Sequence, residues 1–322
     1  MPKARIAQVI NNMFQDYEYG FEAFTIMKDD PAMRRFVLYE GSPINVMARK
    51  QKSFKEQVKN SIVDYIREEY LSDEAEYELA ENIADNQRKF YVIEQDDSYK
   101  PFEFFKRPID NIEMFKMELL DNVQGIAFMF KRENIIIWGY QHLYAVTIPN
   151  KSKKNWLSIQ DAEVFKEMAV PMLPIAKRVN LLVIGSEIIT KDISLMQRLF
   201  GFESFIRNSA TKVIRNINKL DLITNIDKLT TYAERSNLRY AKKMMRIRHS
   251  AVLNMSAEEL LNKVKTLPRW SGKFSIEDNH IVLNTYANVE NLIDLLDERY
   301  TRSDVTGEEY STDVKKIAPP IG

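Results

Sequence analysis

Three apolar runs separated by short polar breaks constrain the fold of this chain more than any other feature. The runs are QGIAFMFKR (124–132), NIIIWGYQ (134–141) and LYAVTIP (143–149). Each run has the length and the residue types of a β-strand, Glu133 and Asn134 suit a tight turn, and Pro149 ends the third run. We therefore predict an antiparallel meander.

The longest uncharged run, 134–150, contains Gly139, Gln141, His142 and Pro149, so it favours paired strands over a membrane-spanning helix. The N-terminus lacks the apolar core and the cleavage site of a signal peptide. The chain contains no cysteine, which excludes disulfides, thiolate metal sites and cysteine nucleophiles. We expect a soluble, cytoplasmic protein that contacts a membrane only through a partner.

Both kinds of secondary structure precede the meander, and a polar segment follows it. Ser53 and Glu56 have the spacing of a capping box at the start of a helix over 53–71. KFYVIEQ (89–95) is typical of a strand. NKSKKN (150–155) has the composition of a linker.

At 322 residues and 45% hydrophobic content, the chain is long enough for two cores. The linker predicts an N-terminal α+β domain at 1–150 and a C-terminal, mainly helical domain at 156–322. The second domain contains a strand at RVNLLVIG (178–185), a hairpin at 273–285 and an acidic C-terminal segment. The predicted fold class is α+β.

Charge is segregated along a chain that is neutral overall, with 46 Lys and Arg against 46 Asp and Glu. Residues 204–220 contain four basic side chains and residues 235–257 contain six, and neither segment has an acid. By contrast, residues 64–97 contain twelve acids against three basic residues, and 277–313 contain ten against two.

The basic residues fall into two groups that we name the basic ridge and the second basic strip. The ridge is Arg235, Arg239, Lys242, Lys243 and Arg246, and the strip is Lys212, Arg215 and Lys219. On a single helix the ridge spans about 60°, with Lys243 at its edge, beside an apolar stripe. Such a ridge suits the phosphates of double-stranded DNA, because bound Lys and Arg release condensed counterions.

Pairing with acids is the alternative interpretation. A basic helix face is commonly solvated, or it pairs with carboxylates that folding brings close, and 64–97 and 277–313 supply such carboxylates. If these carboxylates belong to another subunit, the chain is a scaffold or assembly protein.

The segment PFEFFKRP (101–108) interleaves aromatic rings with cations. This pattern is typical of segments that stack on nucleic-acid bases, and also of edge strands with a buried face.

We predict no catalytic residue, no metal ligand and no cofactor. The three histidines, His142, His249 and His280, lack the spacing of a metal site. No phosphate-binding glycine loop and no nucleophile elbow occurs.

A metal-dependent nuclease is the third reading, because its carboxylates can converge through folding alone. The acid-x-Lys pattern of such enzymes occurs at Asp313-Val314-Lys315, in a polar tail. Asp110, Glu113 and Lys116 form a looser grouping at helical spacing.

The segment FSIEDNHIVLNTYANVENLIDLLDERYTRSDVTGEEY (274–310) resembles the end of the KwaB family of the Kiwa bacterial anti-phage defence system. The family pattern is a short hairpin, a helix ending in Leu-Leu, and then residues at fixed spacing. The matching residues are Leu295, Leu296, Tyr300, Ser303, Val305, Thr306, Tyr310, and Lys315 or Lys316. The chain departs from the pattern at Asp297-Glu298, where Asn-Asp is usual, and at Thr301, where an apolar residue is usual.

The resemblance implies a cytoplasmic defence protein that binds DNA, assembles as a homo-oligomer and works with a small membrane-embedded partner protein. It supplies no catalytic motif, so we expect a non-enzymatic effector. The basic ridge and the second basic strip would contact the phosphate backbone of double-stranded DNA without reading its sequence.

Overall fold

The computed structural model describes residues 2–16, 18–28, 32–40, 53–83, 89–144, 157–161, 164–167, 173–235, 238–298, 300–302 and 309–311. The chain divides into two compact units. Unit 1 comprises residues 1–80 and 84–196, and unit 2 comprises Glu81–Ile83 and residues 197–322. The predicted α+β class is confirmed, because an antiparallel-rich sheet dominates unit 1 and helices dominate unit 2.

Unit 1 is built on an eight-stranded sheet. Its elements are α1 (Pro2–Phe14), β1 (Gly20–Met27), β2 (Met33–Phe36), α2 (Phe54–Tyr70), β3 (Tyr77–Leu79), β4 (Phe90–Glu94), β5 (Val123–Arg132), β6 (Ile135–His142), β7 (Leu157–Asp161), β8 (Val164–Glu167), β9 (Leu181–Ile184) and β10 (Glu187–Thr190). The strand order is β2-β1-β5-β6-β9-β10-β4-β3, and β7 pairs with β8. Only the β3–β4 pair of the large sheet is parallel. At the β2 end, Arg35 forms an isolated bridge with Met114.

The predicted hairpin of the meander is confirmed by β5 and β6, with Glu133 in the left-handed conformation at the turn (φ 52°). Phe128 and Phe130 of β5 belong to one buried cluster with residues of α1 and α2. The predicted third strand, 143–149, lies mainly outside the described residues. The other neighbour of β6 is β9, with Trp138 opposite Val183.

Gln141 of β6 fixes the segment that leads into β9. Its buried Nε2 donates to the carbonyls of Ala176 (2.9 Å) and Arg178 (2.6 Å), and its Oε1 accepts from the amide of Ala176 (3.0 Å). Beside it, the ring of Tyr140 lies across Gly125 of β5, where a Cβ would come within 2.5 Å of the ring. These contacts join β5, β6 and the incoming segment.

Unit 2 is mainly helical, and α3 (Ile193–Leu199) spans the point at which the chain enters it. The elements that follow are α4 (Phe202–Asn218), β11 (Ile223–Thr224), α5 (Asp227–Ala233), α6 (Leu238–Arg246), α7 (Ala257–Thr266), β12 (Ser275–Glu277), β13 (His280–Val282), α8 (Tyr286–Leu296), β14 (Tyr300–Arg302) and β15 (Glu309–Ser311). Helices α4, α5 and α6 pack against one another, and α5 also packs on α8. The hairpin predicted at 273–285 is confirmed by β12 and β13, with both turn residues, Asp278 and Asn279, left-handed.

The two units divide the chain later than the boundary predicted near residue 150. Strands β9 and β10 complete the large sheet by pairing with β6 and β4, so residues 181–190 belong to unit 1. The predicted linker at 150–155 lies outside the described residues. In the part of the chain that the structure describes, no helix is both long enough and apolar enough to cross a membrane.

Candidate nucleic-acid interface

The basic ridge is carried by a bend and a short helix. α5 ends at Ala233, Arg235 lies in the bend, and α6 begins at Leu238. The prediction of one continuous helix here is therefore wrong. The sequence between the helices includes Ser236 and Asn237, residue types whose side chains compete with helical backbone hydrogen bonds.

On α6, one side is buried and the other carries the cations. The buried side consists of Ala241, Met244 and Met245. Arg239 is exposed, whereas Lys242, Lys243 and Arg246 are half-buried. The apolar side and the basic side predicted for this segment are therefore both present on α6 itself.

Two cations of the ridge lie close to acids at α8. Lys243 Nζ lies 3.9 Å from Glu290 Oε1, and Arg246 Nε lies 3.8 Å from Asp297 Oδ2. Both acids come from the acidic stretch 277–313. These two ridge cations are therefore already partly neutralised within the chain.

The other acidic stretch, 64–97, also supplies a partner. Arg248, just beyond α6, donates to the buried carboxylate of Glu81 at 2.8 Å. Pairing between the basic segment and both acidic stretches thus occurs within one chain. No ion pair to Lys242 occurs among the described residues.

The second basic strip lies on the solvent side of α4 and continues to the C-cap residue of that helix, Lys219. Arg215 and Lys219 are exposed and Lys212 is half-buried. Their spacing of three and four residues places all three on one face of the helix. Within the described ranges, neither Arg215 nor Lys219 pairs with an acid. These two cations are open to solvent.

A tyrosine cluster, defined as Tyr232, Tyr240 and Tyr286, surrounds Arg235. The guanidinium carbon lies 4.0 Å from the ring centroid of Tyr286, 5.1 Å from that of Tyr240 and 5.5 Å from that of Tyr232. Hydrogen bonds to the hydroxyls of Tyr286 and Tyr240 raise the pKa of Arg235.

The members of the tyrosine cluster differ in exposure. Tyr232 is buried, its hydroxyl donates to Glu290 at 3.1 Å, and burial raises its pKa. Tyr286, at the first position of α8, is 45% exposed. Sequence reasoning missed this cluster because Tyr286 is distant along the chain. The only local signal was a tyrosine on each side of Arg235.

Asp294 lies between Glu290 of α8 and Asp297, the C-cap residue of that helix, and completes an acidic face at helical spacing. Burial raises the pKa of Asp294. The nearby charge of Glu290 acts in the same direction, whereas Lys243 and Arg246 act in the opposite direction. The ridge of α6 therefore lies beside a face of α8 on which carboxylates are already crowded.

The aromatic segment 101–108 is part of the core of unit 1. Phe102, Phe104 and Phe105 are buried around a 3-10 helix, and Phe105 stacks on Trp138 with the ring centroids 4.4 Å apart. The base-stacking interpretation of these rings is therefore wrong.

The candidate metal ligands are not brought together. Asp110 lies in a 3-10 helix that ends at Asn111, and Glu113 lies 3.5 Å from Arg34, so the predicted helical grouping is wrong. Asp313 and Lys315 lie outside the described residues. The described part of the chain contains no group of three or more His, Asp or Glu placed to hold a metal ion.

The histidines described by the structure contact their own strands and turns. His142 Nδ1 lies 3.4 Å from the hydroxyl of Tyr140, and His280 Nδ1 lies 2.8 Å from the carbonyl of Asp278. The side chain of His249 is not among those that the structure describes. Neither His142 nor His280 is placed beside the basic ridge by these contacts.

Residues of the C-terminal pattern lie at the end of α8 and beyond it. Leu295 and Leu296 are buried on α8, and Tyr300 and Tyr310 lie on the antiparallel pair β14–β15. The remaining matching positions lie outside the described residues: Ser303, Val305, Thr306, Lys315 and Lys316.

Comparison with known proteins identifies one family. A family model described as Kiwa protein KwaB-like matches residues 120–306, which is more than half of the chain and includes β5, α4, α6 and α8. No curated protein and no solved structure matches the chain.

Proposed function

The chain belongs to the Kiwa protein KwaB-like family, which makes it a component of an anti-phage defence system, and we propose that it acts there by binding the phosphate backbone of double-stranded DNA. The proposal has three further parts. The chain acts by binding and not by catalysis, it assembles as a homo-oligomer, and it works beside a small membrane-embedded partner protein.

The observation that carries the DNA-binding proposal is a set of exposed cations on two packed helices. Arg215 lies on α4, Lys219 is the C-cap residue of that helix, and Arg239 lies on α6, all in segments without acids. Phosphate contacts of this kind supply affinity that is independent of sequence and sensitive to salt. Lys243 and Arg246 contribute less, because nearby carboxylates already offset their charge.

A matched pair of charge reversals tests this proposal. The test variant is Arg215→Glu/Lys219→Glu/Arg239→Glu. The control is Arg107→Glu/Lys131→Glu/Lys177→Glu, which makes the same change in net charge at exposed residues of unit 1. Binding to a labelled random-sequence duplex is followed by fluorescence anisotropy between about 50 and 200 mM salt.

We expect the wild type and the control to lose affinity steeply with salt. The test variant should bind weakly, with a log–log salt slope shallower by about 2–3, since each lost phosphate contact removes about one unit. A wild-type protein that is folded but does not bind the duplex would refute DNA binding. Equal losses of duplex affinity in the test variant and the control would refute the assignment of the DNA-binding surface to α4 and α6.

An assembly role is the second candidate, because Lys242 has no ion pair among the described residues and the acids near Lys243 and Arg246 lie as far away as 3.9 and 3.8 Å, so the ridge can still attract further carboxylates. In that role the basic ridge pairs with an acidic surface of a neighbouring subunit. Lys242→Glu/Arg246→Glu then dissociates the oligomer in light scattering. DNA binding through the ridge predicts that the oligomer persists while duplex affinity falls.

Membership of a multi-component defence system supports the partner proposal. Co-expression with the membrane protein of the same system, followed by membrane fractionation, tests it. We expect the chain in the membrane fraction only when the partner is present. An unchanged distribution would refute recruitment.

A further inference from the structure

The tyrosine cluster around Arg235 is the feature of unit 2 that phosphate contacts alone do not explain. Three aromatic rings meet the guanidinium of Arg235, the first cation of the basic ridge, just after α5. Duplex DNA keeps its bases stacked on each other, so a backbone-binding surface has no need of aromatic rings. Unpaired bases, in contrast, stack on tyrosine and on arginine.

Arg235 keeps hydrogen-bonding capacity in this position. A guanidinium has five N–H donors, and the contacts of Arg235 with the faces of the tyrosine rings do not use up these donors. The rings also fix where the cation lies, so little side-chain freedom is lost when it binds an anion. The arrangement suits a phosphate that approaches the open side of Arg235.

Tyr286 offers an accessible ring at the same place. One part of its surface is covered by Arg235 at 4.0 Å, yet 45% of the residue is exposed. The buried Tyr232, bonded to Glu290, anchors the cluster to α8. The cluster thus combines a buried tyrosine that is held in place (Tyr232), a guanidinium with a defined position (Arg235) and an exposed aromatic ring (Tyr286).

We propose that the tyrosine cluster binds an unpaired nucleotide, with the base stacked on Tyr286 and a phosphate bound by Arg235. The inference rests on the proposed DNA binding and deepens it. It assigns to this chain a second DNA form, in which single-stranded segments or frayed ends are held beside the duplex-binding cations. The competing explanation is purely structural, with the cluster fixing the bend to α8.

Substitution of Tyr286 separates these explanations. Binding is measured for a labelled oligothymidine and for a duplex of the same length. Tyr286→Ala should lower oligothymidine affinity about tenfold, within the range for loss of one stacked base, and duplex affinity less than twofold. Tyr286→Phe keeps the ring and should bind like the wild type. Tyr39→Ala removes an exposed tyrosine of unit 1 and serves as the control.

A measurement on the wild-type chain avoids reliance on folding of the variants. An oligonucleotide that carries 5-iodouracil is irradiated in complex with the protein, and the cross-linked peptide is identified by mass spectrometry. We expect attachment at Tyr286. Cross-links found only elsewhere, or none at saturating oligonucleotide, would overturn the proposal.

The outcomes also separate this inference from the proposed function. Salt-sensitive duplex binding, together with equal effects of Tyr286→Ala on both DNA forms, leaves the proposed function standing and refutes the nucleotide site. Absence of binding to either form by folded wild-type protein refutes both.

Discussion

Gly125 and Tyr140 show how a single residue sets the packing between two strands. The fully buried ring of Tyr140 occupies the space in which a side chain on Gly125 would begin. Glycine is required here because of this close approach, and the ring restores the apolar cover that a strand glycine lacks.

Gly125→Ala should therefore lower the free energy of unfolding by about 1–3 kcal/mol, as overpacked cores do. Gly20→Ala is the control, because the nearest atom to a Cβ there is 3.6 Å away, an ordinary contact. Urea denaturation of both variants measures the difference. Equal stability of the two variants would contradict the steric explanation.

Gln141 gives a second prediction for a single side chain. Gln141→Leu keeps the approximate volume and removes the three hydrogen bonds by which this buried side chain holds the backbone of Ala176 and Arg178. We expect a loss of about 2–3 kcal/mol in chemical denaturation. Gln8→Leu, exposed on α1, should change stability by less than about 0.5 kcal/mol.

Between elements, the dominant feature is the charge arrangement of α6 and α8. Glu290 and Asp294 share one face of α8 with Asp297, the C-cap residue of that helix, and Lys243 and Arg246 of α6 lie beside that face. The two cations, Lys243 and Arg246, are thus shared among three closely spaced carboxylates, and the carboxylate of Asp294 is partly buried. The contact therefore brings the cations of α6 to this face, while partial burial disfavours the charged form of Asp294.

This arrangement predicts a pH effect at Asp294. Its pKa in the folded protein is raised above the usual 3.8, so the folded state binds the proton more tightly than the unfolded state. Stability contributed by this group is highest below 3.8 and falls as the pH rises through the folded-state pKa.

Asp294→Asn should accordingly be more stable than the wild type at neutral pH, and this advantage should disappear near pH 3. Thermal unfolding across pH measures it. A variant that is less stable at pH 7 would show that Lys243 and Arg246 outweigh the burial of Asp294.

Local patterns in the sequence predicted most of the helices and strands. The arrangement of the candidate site, in contrast, depends on contacts between residues that are distant along the chain. Ser53 caps α2 as its spacing predicts, and Asp278 with Asn279 forms the predicted turn. Helical periodicity could not locate the break before α6, because apolar residues recur on both sides of it. Nor could it show that Arg235 meets Tyr286, since that contact depends on how α5 and α6 pack near α8.

For the whole molecule, the important fact is that unit 2 is discontinuous in sequence. Glu81–Ile83 belongs to it, although the rest of the unit begins at Gln197. Glu81 and Ile83 are both buried, and Glu81 accepts from Arg248 at 2.8 Å. A segment from the N-terminal half of the chain is therefore needed to complete the helical unit.

Arg248→Met should destabilise unit 2 by about 1–3 kcal/mol, because it leaves the buried carboxylate of Glu81 without this cation. Arg215→Met, at an exposed cation, should have little effect. Hydrogen exchange measures both variants. Faster exchange is expected in α6 with Arg248→Met, while β5 and β6 should keep the wild-type rate. Faster exchange in both units would refute a local effect.

The β2 end of the sheet has a consequence for aggregation. An open strand edge is a template on which other chains can add strands. Here Arg35 already exchanges backbone hydrogen bonds with Glu113 (2.9 Å) and Phe115 (2.8 Å), and the strand carries two arginines. Fibre-like growth from this edge is therefore opposed by both geometry and charge.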